Sequence, residues 1–292
     1  MKKIAILGCE NSHADAFIEC VIKKPEFSHI QVAGIYSQEI EAAEKLSAKY
    51  GLHVMASYDE LAGQVDGVMI TARHGQMHYA FAKPYLSGGI PLFIDKPITI
   101  CADEAVAFMN DLKKCDVKVT GGSSLRHSYE VQAVKLAQQQ QVGGCTVGGT
   151  VRAPLKSDSP YGGFFFYAAH LAAMVLEAFG LDLHSVEVRR DTQGNLTILF
   201  DYGSFIVTGL YTEGGNEYYL TRFSHKGSQG GYVPFTTSKE WFYAEFKAFA
   251  GLMEGEPPAM SRLELFAPVF VLDAIYRASQ SGKAEPVRYR EA

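Results

Sequence analysis

Residues 4–36 read IAILGCENSHADAFIECVIKKPEFSHIQVAGIY. They contain two apolar strand-like runs, Ile4–Leu7 and Ile30–Tyr36, and the apolar residues between these runs recur at helical spacing. A strand, a helix and a second strand in this order predict a βαβ unit, in which the two strands lie parallel. We therefore expect the N-terminal part of the chain to be built on a parallel sheet.

Strand-like and helix-like segments continue to alternate up to residue 120. The predicted strands are Val54–Met55, Val65–Ile70, Leu92–Ile94 and Val117–Thr120, and the predicted helices lie around Ala42–Leu46 and at residues 78–87 and 102–114. This alternation predicts an α/β Rossmann domain over residues 1–121, with helices on both faces of a parallel sheet. Ligands of such sheets bind beyond the carboxyl ends of the strands, so polar motifs that follow strands are candidate site residues.

The pattern changes after Gly121-Gly122. Helical segments at 128–141 and 164–179 accompany short alternating strands at 146–152, 186–190, 196–200 and 205–211. They predict a second, α+β domain over residues 122–292 with a mixed, largely antiparallel sheet. Two closing helices, 239–254 and 261–281, carry aromatic side chains at helical spacing, which we interpret as core packing.

Composition excludes several classes of function. The chain has 292 residues, 47% of them apolar and 20% charged, and its net charge of -5 provides no basic field for nucleic acid. No apolar run reaches membrane-spanning length. The five cysteines lack a CxxC pair, which is typical of a reducing compartment. We expect a cytoplasmic protein with buried free thiols that binds a small molecule rather than nucleic acid or a membrane.

The turn after the first strand is the first candidate ligand site. It comprises Gly8, Cys9, Glu10, Asn11, Ser12 and His13. Gly8 permits a tight turn, free N–H groups at the start of the following helix favour a phosphate, and Ser12 and Asp15 have the spacing of a capping box. However, Glu10 and His13 stand where a GxGxxG motif has its second and third glycines. The loop alone is equally consistent with a phosphate site and with a plain strand-to-helix turn.

Two further strand ends supply candidate cofactor contacts. Ser37 follows the second strand where an NAD site usually has an acid and an NADP site an arginine, so the choice of dinucleotide stays open. The loop after Val65–Ile70 contributes Thr71, Ala72, Arg73, His74 and His78. The two histidines have HxxxH spacing, but no third ligand is evident, and we predict no metal site.

The motif Asp95-Lys96-Pro97 follows the strand Leu92–Ile94. Proline fixes the chain after the lysine and is compatible with a cis peptide bond. A lysine at the carboxyl edge of the sheet, beside an aspartate, can polarise a carbonyl oxygen or stabilise a developing alkoxide. These three residues are the centre of the predicted site.

With these motifs the chain resembles the glucose-fructose oxidoreductase and inositol dehydrogenase family (Gfo/Idh/MocA) of NAD(P)-dependent enzymes, over nearly its whole length. The family usually has Glu-Lys-Pro at Asp95-Lys96-Pro97, a Thr-Pro-Asn-x-x-His stretch at Thr71–His78 and an arginine at Arg126. The resemblance implies that NAD or NADP is bound at these positions. It also implies a sugar, inositol or polyol substrate, and a homodimer or homotetramer formed through the C-terminal sheet.

The family's second catalytic element is Asp-x-Gly-x-His on a helix. His170 is retained here, whereas Phe166 replaces the aspartate and Ala168 the glycine. On an apolar helix alone, a histidine is more often a core residue than a base. The resemblance implies instead that His170 exchanges the substrate hydroxyl proton, with Tyr167 as a further catalytic candidate.

Three functions are compatible with these patterns. The first is an oxidoreductase that transfers a hydride between the nicotinamide and a substrate C–OH carbon, with Lys96 polarising the oxygen and His170 as acid and base. The second is a catalytically eroded sugar-binding or regulatory protein of the same fold, because Glu10 and Phe166 depart from the family. The third is a metal-dependent lyase or isomerase that uses the two loop histidines and His170.

Overall fold

A computed structural model describes residues 1–290, which form two compact units. The first unit consists of Met1–Gly122 and Phe242–Leu265, and the second of Ser123–Trp241 and Phe266–Arg290. Each unit has its own sheet and its own apolar cluster. Within residues 1–290, none of the helices combines the length and apolar character needed to span a bilayer.

The first unit contains a five-stranded parallel sheet. Its strands are β1 (Lys2–Leu7), β2 (Ile30–Tyr36), β3 (Gly67–Ile70), β4 (Leu92–Asp95) and β5 (Val119–Gly122), and the connecting helices are α1 (Ser12–Lys23), α2 (Ile40–Tyr50), α3 (Gln76–Leu86) and α4 (Ala102–Lys114). The strand order is β2-β1-β3-β4-β5, with every pairing parallel. The strand order therefore reverses beside β1, which is where doubly wound sheets bind their ligands. The predicted Rossmann sheet is confirmed.

Burial explains why these short segments are strands. The four residues Ile4–Leu7 are completely buried, as expected for a parallel strand covered on both faces. Helix α2 ends at Tyr50, because Gly51 adopts a left-handed conformation at its C-cap. The predicted strand Val54–Met55 is wrong, since this segment forms only an isolated bridge from Val54 to Ile35.

The second unit contains a mixed seven-stranded sheet. In chain order its elements are α5 (Tyr129–Gln139), β6 (Thr146–Leu155), α6 (Phe164–Phe179), β7 (Ser185–Arg190), β8 (Leu196–Asp201), β9 (Ile206–Glu213), β10 (Tyr218–Ser224) and β11 (Gly227–Val233), followed by α7 (Ser238–Met253), α8 (Arg262–Ser281) and β12 (Glu285–Pro286). The strand order is β11-β10-β6-β9-β8-β7-β12. Only β6 and β9 pair in parallel in this sheet of the described chain. The predicted mixed, largely antiparallel sheet is confirmed.

Most of helix α7 belongs to the first unit, which differs from the predicted division at residue 121. The physical reason is that its aromatic stripe completes the first apolar cluster: Phe246, Phe249 and Met253 are buried together with Phe17 and Met69. The interpretation of this stripe as core packing is confirmed. A later segment of the chain nevertheless supplies part of the N-terminal core, and this brings its polar residues to the first unit as well.

All five cysteines are free thiols. Cys9 and Cys20 are buried, as expected. The expectation of buried thiols is wrong for Cys101 and Cys145, which are exposed. Cys101 precedes α4 and Cys145 precedes β6, so both lie in connecting segments that run over the surface.

Candidate active site

Gly8 brings the loops after β1 and β3 into contact. Its φ is +109°, and a Cβ atom at this position would lie 2.1 Å from the backbone nitrogen of Ala72. Thr71 fixes the same contact, because its backbone N–H donates to Leu7 O at 2.7 Å and its hydroxyl donates to Gly8 O at 2.6 Å. A glycine is therefore required at position 8, and the two loops form one continuous edge.

Asn11 opens helix α1. Its Oδ1 accepts from the backbone N–H of His13 at 2.8 Å, and its Nδ2 donates to Thr71 O at 2.9 Å. The predicted capping box is wrong, because Ser12 is already helical and Asp15 accepts hydrogen bonds from side chains of α2. An asparagine can both accept and donate, so one side chain caps the helix and holds the neighbouring loop. The other backbone N–H groups of the first turn have no intrahelical acceptor, as at any helix start, and such groups can bind an anion.

The side chain of Glu10 reaches the ends of two other strands. Its Oε2 accepts from the Ser37 hydroxyl at 2.7 Å after β2, and its Oε1 accepts from the backbone N–H of Arg73 at 3.0 Å after β3. The adjacent Cys9 is buried, and burial, followed by the charge of Glu10, raises the pKa of its thiol to about 12. Cys9 therefore stays protonated and is not a nucleophile.

Both loop histidines, His74 and His78, form hydrogen bonds with backbone groups of their own loop. His78 is fully buried, and its Nε2 lies 2.7 Å from Ala72 O. Burial lowers the pKa of His78, although the Ala72 carbonyl opposes this change. The Nδ1 of His74 accepts from the backbone N–H of Gln76 at 3.3 Å, where α3 begins. Within residues 1–290 there is no group of three or more His, Cys, Asp or Glu that could hold a metal ion.

Asp95 anchors the central motif. It is 1% exposed, its Oδ1 accepts from the backbone N–H of Lys96 at 2.7 Å, and its Oδ2 lies 2.6 Å from Nδ1 of His13. Burial alone would raise the pKa of Asp95, but the charge and hydrogen bond of His13 hold it below its usual value. The Lys96–Pro97 peptide bond is cis. The Asp95 carboxylate thus joins the loop after β4 to the first turn of α1.

Lys96 lies in a buried cluster of charged groups. Burial lowers its pKa from 10.5 to about 8, while the charge of Asp95 raises the pKa, that of Arg73 lowers it and that of Glu245 raises it. Two negative charges therefore help to retain the ammonium form at neutral pH. A desolvated ammonium group held in this way can donate strongly to an oxygen atom that gains negative charge.

Glu245 is a candidate residue that the sequence interpretation missed. It lies on α7 and is 2% exposed, among the aromatic residues of the first core. In the sequence it is three residues after Phe242 and four before Phe249, and so occupies the apolar face of the helix. A carboxylate on an apolar face is rarely buried without a charged partner. The position of Glu245 on the apolar face of the helix is therefore the sequence signal that could have identified it as a site residue.

In the second unit, His170 is held by a hydroxyl group. It is 7% exposed on α6, and its Nδ1 lies 2.7 Å from the hydroxyl of Ser123. The rings of Tyr167 and Tyr218 lie 6.2 and 5.6 Å away. Phe166 is buried and packs against aromatic neighbours instead of supporting the histidine. Sequence reasoning missed Ser123 because a serine after a strand carries no distinctive pattern.

The guanidinium group of Arg126 forms an ion pair with Glu177. Its Nε and Nη2 lie 2.8 Å from Oε2 of Glu177, and the residue is 5% exposed. Burial would raise the pKa of Glu177, but the charge of Arg126 and the hydrogen bond from Lys135 lower it to about 2. Of the three guanidinium nitrogens of Arg126, Nη1 is the one that is buried without a hydrogen-bond partner. The cofactor contact predicted for Arg126 stays a prediction, limited to that atom.

The carboxyl edge of the first sheet brings together most of the predicted cofactor residues. These are Gly8, Cys9, Glu10, Asn11, Ser12, His13, Ser37, Thr71, Ala72, Arg73, His74, His78, Asp95, Lys96 and Pro97. Hydrogen bonds link the loops after β1, β2, β3 and β4 into one network. Arg126, Tyr167 and His170 belong to the second unit.

Comparisons with known proteins agree with this architecture. Residues 2–123 match the model of a family described as an oxidoreductase family with an NAD-binding Rossmann fold. A stretch of 79 residues is 30% identical to the UDP-N-acetylglucosamine 3-dehydrogenase of Acidithiobacillus ferrooxidans, covering 27% of this chain and 25% of that enzyme. The chain thus matches about a quarter of the length of this curated relative.

Solved structures extend the similarity to the whole chain. The myo-inositol dehydrogenase of Corynebacterium glutamicum superposes with a TM-score of 0.84 at 16% identity and covers 99% of both chains. That of Lactobacillus casei, solved with NAD(H) and myo-inositol, gives 0.84 at 14% identity over 100% of this chain and 98% of its own. At this identity the likeness shows the fold. It confirms the predicted fold class, and the family match agrees with the predicted family, enzyme class and nicotinamide cofactor for residues 2–123.

Proposed function

We propose that this protein is an NAD(P)-dependent dehydrogenase of the glucose-fructose oxidoreductase and inositol dehydrogenase family, whose model matches residues 2–123. Its substrate would be a sugar, an inositol or a related polyol, oxidised at a CH–OH group. The observation that carries the proposal is the buried ammonium group of Lys96 at the carboxyl edge of a Rossmann sheet.

The residues of the first sheet edge fit a dinucleotide. Gly8 lacks the side chain that would separate the loops, and the first turn of α1 offers backbone N–H groups to a pyrophosphate. Glu10 and Ser37 lie where the ribose of a dinucleotide is recognised. When bound, the nicotinamide would accept or donate the hydride, and the protein would hold and orient it.

Lys96 would polarise the reacting oxygen of the substrate. Its ammonium group is desolvated, and the charges of Asp95 and Glu245 help it to stay protonated. Since Asp95 accepts the backbone N–H of Lys96, the loop that presents the lysine is also fixed. The motif can therefore stabilise an alkoxide without rearrangement.

His170 would exchange the hydroxyl proton. If Ser123 accepts a hydrogen bond from Nδ1–H, Nε2 is left as the basic nitrogen. A hydroxyl can also donate to a histidine, so it orients the ring without favouring its charged form as an aspartate would. Tyr167, whose ring lies beside His170, stays a candidate for the same step.

The open face of the second sheet supports the proposed homodimer or homotetramer. Strand register places apolar side chains of β8, β9, β10 and β11 on this face. They are Leu199, Ile206, Tyr219, Phe223 and Tyr232, and each is between 37% and 54% exposed. An apolar face of this kind is typical of a subunit contact. Light scattering of the purified protein measures the number of subunits directly.

One observation favours a second candidate, a catalytically eroded sugar-binding or regulatory protein. Phe166 stands in place of the acid that supports the histidine in the family and is buried among aromatic rings. This alternative predicts a bound sugar without turnover. Such a protein would keep the fold but would not catalyse hydride transfer.

Calorimetric titration of the full-length chain with NAD+, NADH, NADP+ and NADPH tests the proposal. Micromolar binding of at least one dinucleotide is expected. The loaded protein is then offered inositols, free sugars and nucleotide-linked sugars, and reduced nicotinamide is followed by absorbance. Binding with turnover supports the dehydrogenase, sugar binding without turnover supports the eroded protein, and no binding of any dinucleotide refutes the proposal.

A further inference from the structure

The end of β2 lacks an acidic residue in the usual place. NAD-specific Rossmann domains generally recognise the adenosine ribose diol with an aspartate or glutamate at this strand end. Here the strand is followed by Ser37, which is buried. Its hydroxyl donates to Glu10 at 2.7 Å and accepts from the backbone N–H of Glu39 at 3.2 Å. Because its proton is already used, Ser37 is not a free donor to a ribose.

Glu10 brings a carboxylate to this strand end from a different loop. It belongs to the turn after β1, whose last residue, Leu7, pairs with Tyr36 at the end of β2. The bonds from Ser37 and from the backbone of Arg73 hold the two carboxylate oxygens in place. Glu10 itself is only partly buried. A carboxylate has about four acceptor positions, so two fixed bonds leave capacity for a ligand.

We propose that Glu10 takes the role of the missing strand-end acid and makes the protein select NAD over NADP. This inference rests on the proposed dehydrogenase function. A fixed carboxylate accepts hydrogen bonds from the vicinal hydroxyls of a ribose, and its charge repels the 2′-phosphate of NADP. Arg73 meets Glu10 through its backbone N–H.

The same geometry explains why a glutamate is tolerated in the phosphate turn. A carboxylate among the N–H groups of α1 would compete with a pyrophosphate. The hydrogen bonds place its oxygens instead against Ser37 and the backbone of Arg73, while Asn11 caps the helix. The departure from GxGxxG thus becomes a specificity element.

The test measures dissociation constants of NADH and NADPH for the full-length wild type, Glu10→Gln and Glu10→Ala, by nicotinamide fluorescence. Glu44→Gln is the matched control, because it removes the same charge from an exposed position of α2. We expect wild type to prefer NADH by at least about tenfold. The reason is that NADPH lacks the 2′-hydroxyl that would donate a charge-assisted hydrogen bond to Glu10. Glu10→Gln should reduce that preference about tenfold, and Glu44→Gln should preserve it. Circular dichroism verifies that each variant is folded.

The alternative outcomes separate this inference from the proposed function. Equal binding of the two dinucleotides by wild type, or an unchanged preference in Glu10→Gln, overturns the inference and leaves the dehydrogenase intact. Binding that appears only in Glu10→Ala also overturns it, because Glu10 would then block the site. Failure of all folded forms to bind either dinucleotide overturns the proposed function, and with it the inference.

Discussion

Replacement of Lys96 by methionine should remove activity and at the same time stabilise the fold. Methionine keeps most of the buried aliphatic volume and removes the charge. Loss of one preorganised donor to a developing oxyanion typically costs about 3 kcal/mol, so kcat should fall about 100-fold or more. The dissociation constant of the dinucleotide should change much less, because Lys96 is assigned to the substrate oxygen.

The stability gain follows from the pKa of Lys96. Burial lowers this pKa from 10.5 to about 8, and each pH unit of such a shift corresponds to about 1.4 kcal/mol. At neutral pH the folded wild type therefore holds a charge that is disfavoured by about 3 kcal/mol relative to the unfolded chain. Lys96→Met should raise the free energy of unfolding by up to this amount.

The lowered pKa of Lys96 also determines how the free energy of unfolding changes with pH. Between about 8 and 10.5 the unfolded chain keeps the lysine proton and the folded wild type has lost it, so wild-type stability rises with pH. The advantage of Lys96→Met should shrink across this window. Activity of wild type should also decline above about pH 8, because the ammonium form is the proposed donor.

Steady-state kinetics, calorimetric titration and urea unfolding at several pH values check these expectations. Lys114→Met, which removes an exposed lysine of α4, is the matched control and should change the unfolding free energy by less than about 0.5 kcal/mol. If the kcat of Lys96→Met equals that of wild type, Lys96 is not a catalytic residue. A folded variant that is less stable than wild type at neutral pH would refute the desolvation argument.

Three further substitutions test other parts of the molecule. Gly8→Ala should destabilise the first unit by about 3 kcal/mol or more, measured by urea unfolding, because the new Cβ would lie 2.1 Å from a backbone nitrogen. Ser123→Ala should lower kcat about tenfold and leave dinucleotide binding unchanged, since the hydroxyl only orients His170; Ser123→Thr should restore kcat and its pH profile. Glu177→Gln should cost about 3 kcal/mol at neutral pH, and the difference from wild type should vanish as pH falls from 4.5 to about 2.

Each of these three substitutions has a control. Gly51→Ala also places a side chain at a positive φ, but in open space, and should cost only about 1 kcal/mol. Asp158→Asn removes an exposed acid of the second unit and should change the unfolding free energy by less than about 0.5 kcal/mol. A Ser123→Ala enzyme with full kcat would mean that the histidine is oriented by other contacts. If Glu177→Gln is still less stable than wild type at low pH, the loss of free energy of unfolding does not come from the ionisation of Glu177.

The positions of Lys96 and of the turn at Gly8 could be predicted because both are local in the sequence. Lys96 and Gly8 each follow an apolar strand, and parallel strands present their carboxyl ends at one edge. Position relative to a strand therefore identified the candidate site. The capping box failed for a local reason as well: Asn11 rather than Ser12 is the N-cap, accepts from the N–H of His13 and also donates to Thr71.

The alternation of strand and helix determined by itself that this protein has a parallel Rossmann sheet followed by a mixed sheet, because hydrophobic periodicity follows backbone geometry directly. Only the tertiary structure decided which charges surround the site. Glu245 lies 149 residues after Lys96 in the sequence, and Glu10 meets Ser37 across two strands, so no local pattern links them. Packing of the aromatic face of α7 against the first core buries Glu245, and the β1–β2 pairing places Glu10 at its strand end. Burial and proximity set the charge of these groups, and both exist only in the folded chain.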